Sequence, residues 1–141
     1  MESNPAEAVK NNIFGTRNVA EAAIRHNVKK FILVSTDKAV NPTNIMGASK
    51  RAAEKIVHLL SEAQSETIFC AVRFGNVINS NGSAIPFFEK QIQKGGPVTV
   101  THKDVTRFFM TIPEAVHLIL KTWVMGENND LFVKSGGLLL E

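Results

Sequence analysis

The sequence predicts an α/β fold in which a parallel sheet is covered by helices on both faces. Two apolar runs, Phe31–Val34 and Ile68–Val72, have strand length and no polar alternation, the pattern of strands buried on both sides. Amphipathic segments long enough for crossover helices precede and separate them, giving the order helix, strand, helix, strand. With 141 residues, 44% of them hydrophobic, the chain can bury a core as one folding unit.

Each element carries its own signal. Asn4 is a helix N-cap, with Pro5 at the first position and Glu7 placed to answer the cap. Val9, Ile13, Thr16, Ala20, Ala23 and Ile24 then form one apolar face as far as about His26. After the first strand, a helix runs from about Met46 to Ser61 with Ala53, Ile56, Val57 and Leu60 inward, and the second strand follows. Beyond Arg73 the pattern loosens. Phe74 to Gly82 is a loop of Gly, Asn and Ser, and Ser83 to about Lys94 is a helix with Phe87, Phe88 and Ile92 inward. Gly95-Gly96-Pro97 breaks that helix, and Val98 to Thr101 alternates as a short strand. Thr111-Ile112-Pro113-Glu114 is a capping box opening a helix through Leu118, Ile119 and Trp123 to Gly126, and Leu131–Val133 is a last strand. Trp123 and the Phe87–Phe88 pair read as core.

Composition narrows the partners. The 16 Lys+Arg against 13 Asp+Glu leave a formal charge of +3, and the basic residues are scattered, so no nucleic acid is expected while a small anionic ligand stays open. No apolar run approaches the roughly 20 residues that span a bilayer, and the polar start at Met1–Pro5 is not a secretion signal, so the chain is not expected in a membrane. Cys70, the single cysteine, reads as a buried residue of a reducing, cytoplasmic compartment. His26, His58, His102 and His117 show no metal-ligand spacing, and no metal is expected. The chain starts directly in a helix and ends just after a Gly-Gly, so both ends read as cuts from a longer protein.

Ligands of open parallel sheets bind at the carboxyl ends of the strands, which directs attention to Ser35, Thr36, Asp37 and Lys38. A hydroxyl, a carboxylate and an amine in succession can bind a substrate, donate a proton and accept one. The alternative is a plain turn in which Thr36 and Asp37 bond local backbone and Lys38 is solvated. Met46 and Lys50, four apart on the next helix, share one face.

Four separated motifs now point the same way: Ser35-Thr36-Asp37-Lys38-Ala39-Val40-Asn41-Pro42, Met46-Gly47-Ala48-Ser49-Lys50, Arg73-Phe74-Gly75-Asn76-Val77 and Thr106-Arg107-Phe108-Phe109-Met110-Thr111. Together, over about Asn4 to Val133, they resemble the UDP-N-acetylglucosamine 4,6-dehydratases of bacterial polysaccharide and glycan biosynthesis, a branch of the extended short-chain dehydrogenase family. That resemblance implies the C-terminal part of a Rossmann-like, doubly wound sheet with a small α/β substrate-binding portion. Residues 1–75 would belong to the NAD(P)-binding half and 76–141 to the nucleotide-sugar half.

It also implies roles. Thr36 would bond the sugar hydroxyl that becomes the ketone, and Lys50 would hold the nicotinamide ribose. Asp37 would be the acid for loss of the C6 hydroxyl, and Lys38 the base that takes the C5 proton. Ser35, Arg73 and Phe74 would line the cofactor beside Lys50, with an ion pair tying loop to sheet as the alternative for Arg73. Asn76 and Arg107 would hold the pyrophosphate of a UDP-sugar, a task suited to a planar guanidinium.

Met46 departs from the family's usual Tyr-x-x-x-Lys, because a thioether cannot move a proton. Either the site has decayed, or the chain belongs to a methionine-bearing branch whose members are mostly large and membrane-anchored. Intact Thr36, Asp37, Lys38 and Lys50 favour the branch, in which Asp37 or a bound water would take the C4 hydroxyl proton. Hydride would pass from C4 to oxidised cofactor, water would leave across C5 and C6, and the hydride would return to C6. A C4 epimerase, a dehydratase that also inverts C5, or a non-catalytic remnant are the competing readings.

The nine glycines nowhere form the glycine-rich loop that binds dinucleotide pyrophosphate at a helix N-terminus. The chain is therefore expected to hold part of the nicotinamide and sugar sites only, for NAD or NADP, and to be inactive alone. The helices from Asn4 to His26 and Met46 to Ser61 resemble those that build the family's dimer, so a homo-oligomer through helix packing is expected.

Overall fold

The structure of the protein, a computed structural model, describes residues 2–63, 66–78, 84–100, 107–134 and 138–140, with backbone alone at 84, 107–108 and 138–140. The first helix starts at its predicted cap, Asn4 Oδ1 accepting from the Glu7 N–H at 3.4 Å. It is continuous but not uniform. An α-helical turn, α1 (Pro5–Ala8), passes through a π-helical segment (Val9–Gly15) into α2 (Thr16–Arg25). The wider π turns carry extra residues, so the inward face departs from a 3.6-residue period. Ala8 and Asn12 are buried, and Val9, predicted inward, is 37% exposed.

β1 (Lys30–Thr36), α3 (Ile45–Glu62) and β2 (Ile68–Phe74) follow close to the predicted bounds. β1 and β2 pair in parallel from Lys30↔Ile68 to Thr36↔Phe74. β3 (Asn76–Val77), α4 (Ala84–Gln93), β4 (Arg107–Met110), α5 (Ile112–Met125), β5 (Leu131–Val133) and β6 (Leu138–Leu140) complete the order. β5 returns to lie parallel beside β2, giving one sheet ordered β1-β2-β5, and β3-β4-β6 form a second. The first sheet therefore draws on residues from both sides of position 75.

Helices cover both faces of that sheet, as the alternation of elements predicts. On one face Ala20 of α2 and Ala53 and Val57 of α3 pack on Leu33 and Phe69. The Phe31 and Phe69 rings lie 5.3 Å apart. Ala20 and Ala53 are fully buried, and their small side chains let the two helices approach closely. α5 covers the other face, opened by the predicted capping box with Thr111 N–H donating to Glu114 Oε2 at 2.7 Å. Its C-terminal carbonyls are met by the Lys30 ammonium, 2.7 Å from both Trp123 O and Gly126 O, where positive charge is favoured. Cys70 is buried in β2.

Three expectations are corrected. Val98 to Val100 form no strand, and Thr101 lies outside the described residues. Thr99 is held instead by Gln91, whose amide oxygen accepts from Thr99 N–H at 3.0 Å and whose amide nitrogen donates to Thr99 Oγ1 at 3.0 Å. Phe87 and Ile92 are not inward, being 54% and 63% exposed, and Trp123 is 60% exposed. Among the described residues no element lies over these faces of α4 and α5, so apolar character alone misplaced them in a core.

Two features fix α3 against the sheet. The first is close approach at its N-terminus. Asn44 Oδ1 caps it by accepting from Gly47 N–H at 2.8 Å, and a Cβ built on Gly47 would stand 2.4 Å from the carbonyl oxygen of Lys38. Only a residue without a side chain lets the helix start rest on that backbone.

The second is a buried charge. Glu54 Oε1 accepts from Ser35 Oγ at 2.6 Å and Arg73 Nε at 2.8 Å, and Oε2 accepts from Arg73 Nη2 at 2.5 Å and Arg51 Nη1 at 3.2 Å. The Glu54 and Arg73 side chains are only 7% and 8% exposed. Burial pushes the Glu54 carboxyl up, but the bonds from Arg73 and Ser35 outweigh it and hold the group below its ordinary value. The same contact raises Arg73.

Gly47→Ala is expected to cost about 1–3 kcal/mol, the range for overpacking a tight contact. A urea titration checks it, and an unchanged midpoint would contradict the close approach. Because Glu54 is depressed in the folded state, its contribution is complete above the ordinary carboxyl value of 4.5 and is lost as pH falls through the folded value. Glu54→Gln should therefore cost about 3–5 kcal/mol near neutrality, from the orphaned Arg73, with the gap closing in acid. Parallel stabilities of the two proteins at every pH would overturn this.

Candidate functional site

β1 ends where its backbone turns into a short 3-10 helix, Asp37–Ala39, capped by Thr36, whose Oγ1 accepts from Lys38 N–H at 3.4 Å. The turn gathers three polar side chains. Thr36 Oγ1 donates to Asp37 Oδ1 at 2.9 Å, and Lys38 Nζ donates to the same oxygen at 3.1 Å. One carboxylate oxygen thus receives a hydroxyl and an ammonium. Asp37 is exposed and Lys38 is partly buried, with side-chain exposures of 54% and 36%. The group is open to a ligand yet internally ordered, and it combines the local bonding of a turn with a hydroxyl, a carboxylate and an amine in contact.

Lys38 Nζ also donates to Asn76 Oδ1 at 3.3 Å. Since Lys38 follows β1 and Asn76 opens β3, that bond joins the two sheets. Two residues predicted for different jobs, base and pyrophosphate ligand, therefore touch.

Lys50 lies partly buried on α3, and its Nζ donates to Val34 O at 3.2 Å, on the strand that leads into Thr36. Burial pushes the Lys50 ammonium down, and the Glu54 carboxylate acts against this. The amine is thus held at the strand's end and turned toward the sheet. Met46 stands one turn earlier, half-buried, with Glu2 beside it: the Glu2 carboxylate accepts from Ile45 N–H at 3.2 Å and Met46 N–H at 3.3 Å. A carboxylate at this helix start complements the positive end of the helix dipole.

The remaining predicted residues fall in different places. The Ser35 hydroxyl and the Arg73 guanidinium bond the Glu54 carboxylate, and the ion pair of Arg73 ties β2 to α3. Phe74 ends β2, half-buried beside Thr36 in the strand register. Arg107 is placed by its backbone in β4, and its side chain lies outside the described residues, as does Thr106.

Sequence reasoning missed Glu54, Glu2, Asn12 and Ser49. Asn12 Nδ2 donates to Ser49 Oγ at 2.9 Å, and Ser49 Oγ donates to Met46 O at 3.0 Å, linking the π segment to the helix that bears Met46 and Lys50. A polar residue in the middle of an apolar helix face was the signal available for Asn12. A cleft of about 350 Å³ lies elsewhere, at the β5 edge, bounded by Arg51, His58, Cys70 and Asp130 among others, and none of Thr36, Asp37, Lys38 or Lys50 lines it.

Comparison with known proteins gives the family. A capsular polysaccharide biosynthesis protein, CapD, of Staphylococcus aureus is 56% identical over 97% of this chain, which covers 23% of that protein. A UDP-glucose 4-epimerase of Rickettsia canadensis is 42% identical over 94% of the chain and 40% of its own length. The chain therefore spans about a quarter to two-fifths of these relatives. Among solved structures, Pen from Bacillus thuringiensis superposes with a TM-score of 0.91 at 42% identity, over 96% of this chain and 42% of Pen. The dTDP-glucose 4,6-dehydratase DesIV of Streptomyces venezuelae, solved with NAD bound, superposes at 0.86 with 18% identity, over 98% and 49% of the two chains, a likeness of fold. The fold is the Rossmann-like one of the extended short-chain dehydrogenases. With the family profile described as polysaccharide biosynthesis protein matching residues 1–139, the chain belongs to the polysaccharide biosynthesis protein family.

Proposed function

We propose that this chain carries the acid–base part of a nucleotide-sugar 4,6-dehydratase that converts UDP-N-acetylglucosamine to its 4-keto-6-deoxy derivative. The observation that carries the reading is the contact of Thr36 and Lys38 with one oxygen of Asp37 at the end of β1. A dehydratase needs both an acid and a base near adjacent carbons, and a carboxyl and an amine already in contact supply the pair.

In this reading Thr36 bonds the C4 hydroxyl, and Asp37 or a water it holds takes that hydroxyl's proton, since Met46 cannot. When bound, NAD or NADP would supply the hydride acceptor for oxidation at C4 and the hydride donor at C6. Lys38, after giving its ammonium proton to solvent, removes the C5 proton as the free amine, and Asp37, now carrying the proton of the C4 hydroxyl, protonates the departing C6 hydroxyl. Lys50, held at Val34 O, fits a ribose-binding amine at the strand's end. Residues 1–75 serve the cofactor, and Asn76 and Arg107, with the rest of 76–141, serve the UDP-sugar. Phe14, Val19 and Leu59, exposed on the helical face beside the sheet, support a homo-oligomer through helix packing. Among the described residues no helix is long and apolar enough to cross a membrane. We place the acting site in the cytoplasm, where nucleotide sugars are made.

An epimerase of the same fold is the second reading, favoured by the Rickettsia relative. A chimera in which this chain replaces the matching 137 residues of the Staphylococcus relative separates the two. Given UDP-N-acetylglucosamine and NAD, it should yield a product lighter by one water, and Asp37→Asn and Lys38→Met should each lower kcat by roughly 10²- to 10⁴-fold. A product of unchanged mass, or full activity in both variants, would defeat the dehydratase reading.

A further inference from the structure

We propose that Glu54, which lies outside the acid–base group, is the positioning residue of the site. Its carboxylate holds the helix that bears Lys50 against the two strand ends from which Thr36 and Asn76 continue. The proposal rests on the dehydratase reading for its catalytic consequence and on geometry alone for its structural one.

The geometry is a three-way junction. Ser35, bonded to Glu54 Oε1 at 2.6 Å, immediately precedes Thr36. Arg73, bonded to both carboxylate oxygens, stands three residues before Asn76. Lys50 lies four residues before Glu54, on the same helix face. A shift of α3 along the sheet would move Lys50 relative to Thr36, and it would have to break these bonds to do so. Apolar packing of Ala53, Val57 and Leu33 could slide by a fraction of an ångström at little cost. A two-pronged carboxylate–guanidinium contact with fixed directions could not. The Glu54 charge also sits one turn from the Lys50 ammonium and opposes the effect of its burial.

In this arrangement a single carboxylate sets the spacing of groups that act on different atoms of the substrate. Loss of the junction should therefore affect turnover more than binding, because misplacement of about 1 Å can cost roughly a hundredfold in rate.

The test compares Glu54→Gln with Val57→Ala, a core substitution one turn further along α3, in the Staphylococcus chimera. Glu54→Gln should lower kcat by roughly 10²-fold with KM within about twofold. Val57→Ala should lower the melting temperature while leaving kcat within about twofold. Glu54→Asp, which keeps the charge, should recover part of the loss. If Glu54→Gln does not fold, Ser35→Ala, which deletes one bond and leaves the ion pair, should show a smaller fall of the same kind. A fall confined to KM, or no greater than that of Val57→Ala, would overturn the positioning role. Amide hydrogen exchange on this chain gives an arm independent of activity. Glu54→Gln, or Ser35→Ala in its place, should speed exchange at residues 36–39 and 45–50 beyond the change that Val57→Ala, compared at equal loss of stability, produces there, while Phe69–Val72 follow global stability in both variants. Exchange at the turn no faster than in Val57→Ala would overturn the junction itself, whereas faster exchange with an inactive parent chimera would count against the dehydratase reading alone.

Discussion

A carboxylate buried among apolar residues is tolerated only when fully paired, and Glu54 is paired by three different side chains from β1, β2 and its own helix. That requirement joins elements which hydrophobic packing would leave free to slide. The sheet register fixes β1 against β2, the ion pair fixes α3 against both, and Gly47 lets the start of α3 rest on the Lys38 carbonyl. The turn that carries Thr36, Asp37 and Lys38 is thus bounded on two sides by rigid contacts while its polar groups stay accessible.

From that frame the chemistry extends outward by short hydrogen bonds. Asp37 collects Thr36 and Lys38, and Lys38 reaches Asn76 on the second sheet. The site therefore lies between a deeply held unit and a less enclosed one. The two sheets are joined by the chain itself, through Gly75 between β2 and β3, and by the side-chain bond from Lys38 to Asn76. On the opposite side, Asn12 and Ser49 connect the π segment to the carbonyl of Met46, so the helix that bears Met46 and Lys50 is braced from both flanks.

What was legible in the sequence is what local physics decides. The caps at Asn4 and Thr111, the apolar runs of β1 and β2 and the helical period of α3 depend on neighbours within a few residues, and all stand where the pattern put them. The turn from Ser35 to Lys38 was legible because strand ends attract ligands and because four motifs resemble one family. Glu54 was not: its partners Ser35 and Arg73 each lie 19 residues away, and a glutamate beside Ala53 on a helix gives no sign of them. The outward Val9 follows from π turns that a 3.6-residue period cannot register, and the exposed Trp123 from an apolar helix face that meets no described neighbour. The resemblance implied a cofactor-lining role for Ser35 and Arg73, with an ion pair as the alternative for Arg73, and no local pattern signalled their contacts with Glu54.

The central claim is that the Thr36–Lys38 turn moves protons at two adjacent sugar carbons rather than one. Product formed in deuterated water by the Staphylococcus chimera tests it most directly, because a proton taken from C5 by an amine is exchanged for solvent deuterium before it returns. NMR should find deuterium at C5 of a 4-keto-6-deoxy sugar, with the hydrogen from C4 carried to C6. A C4 epimer with no deuterium bound to carbon would contradict the claim.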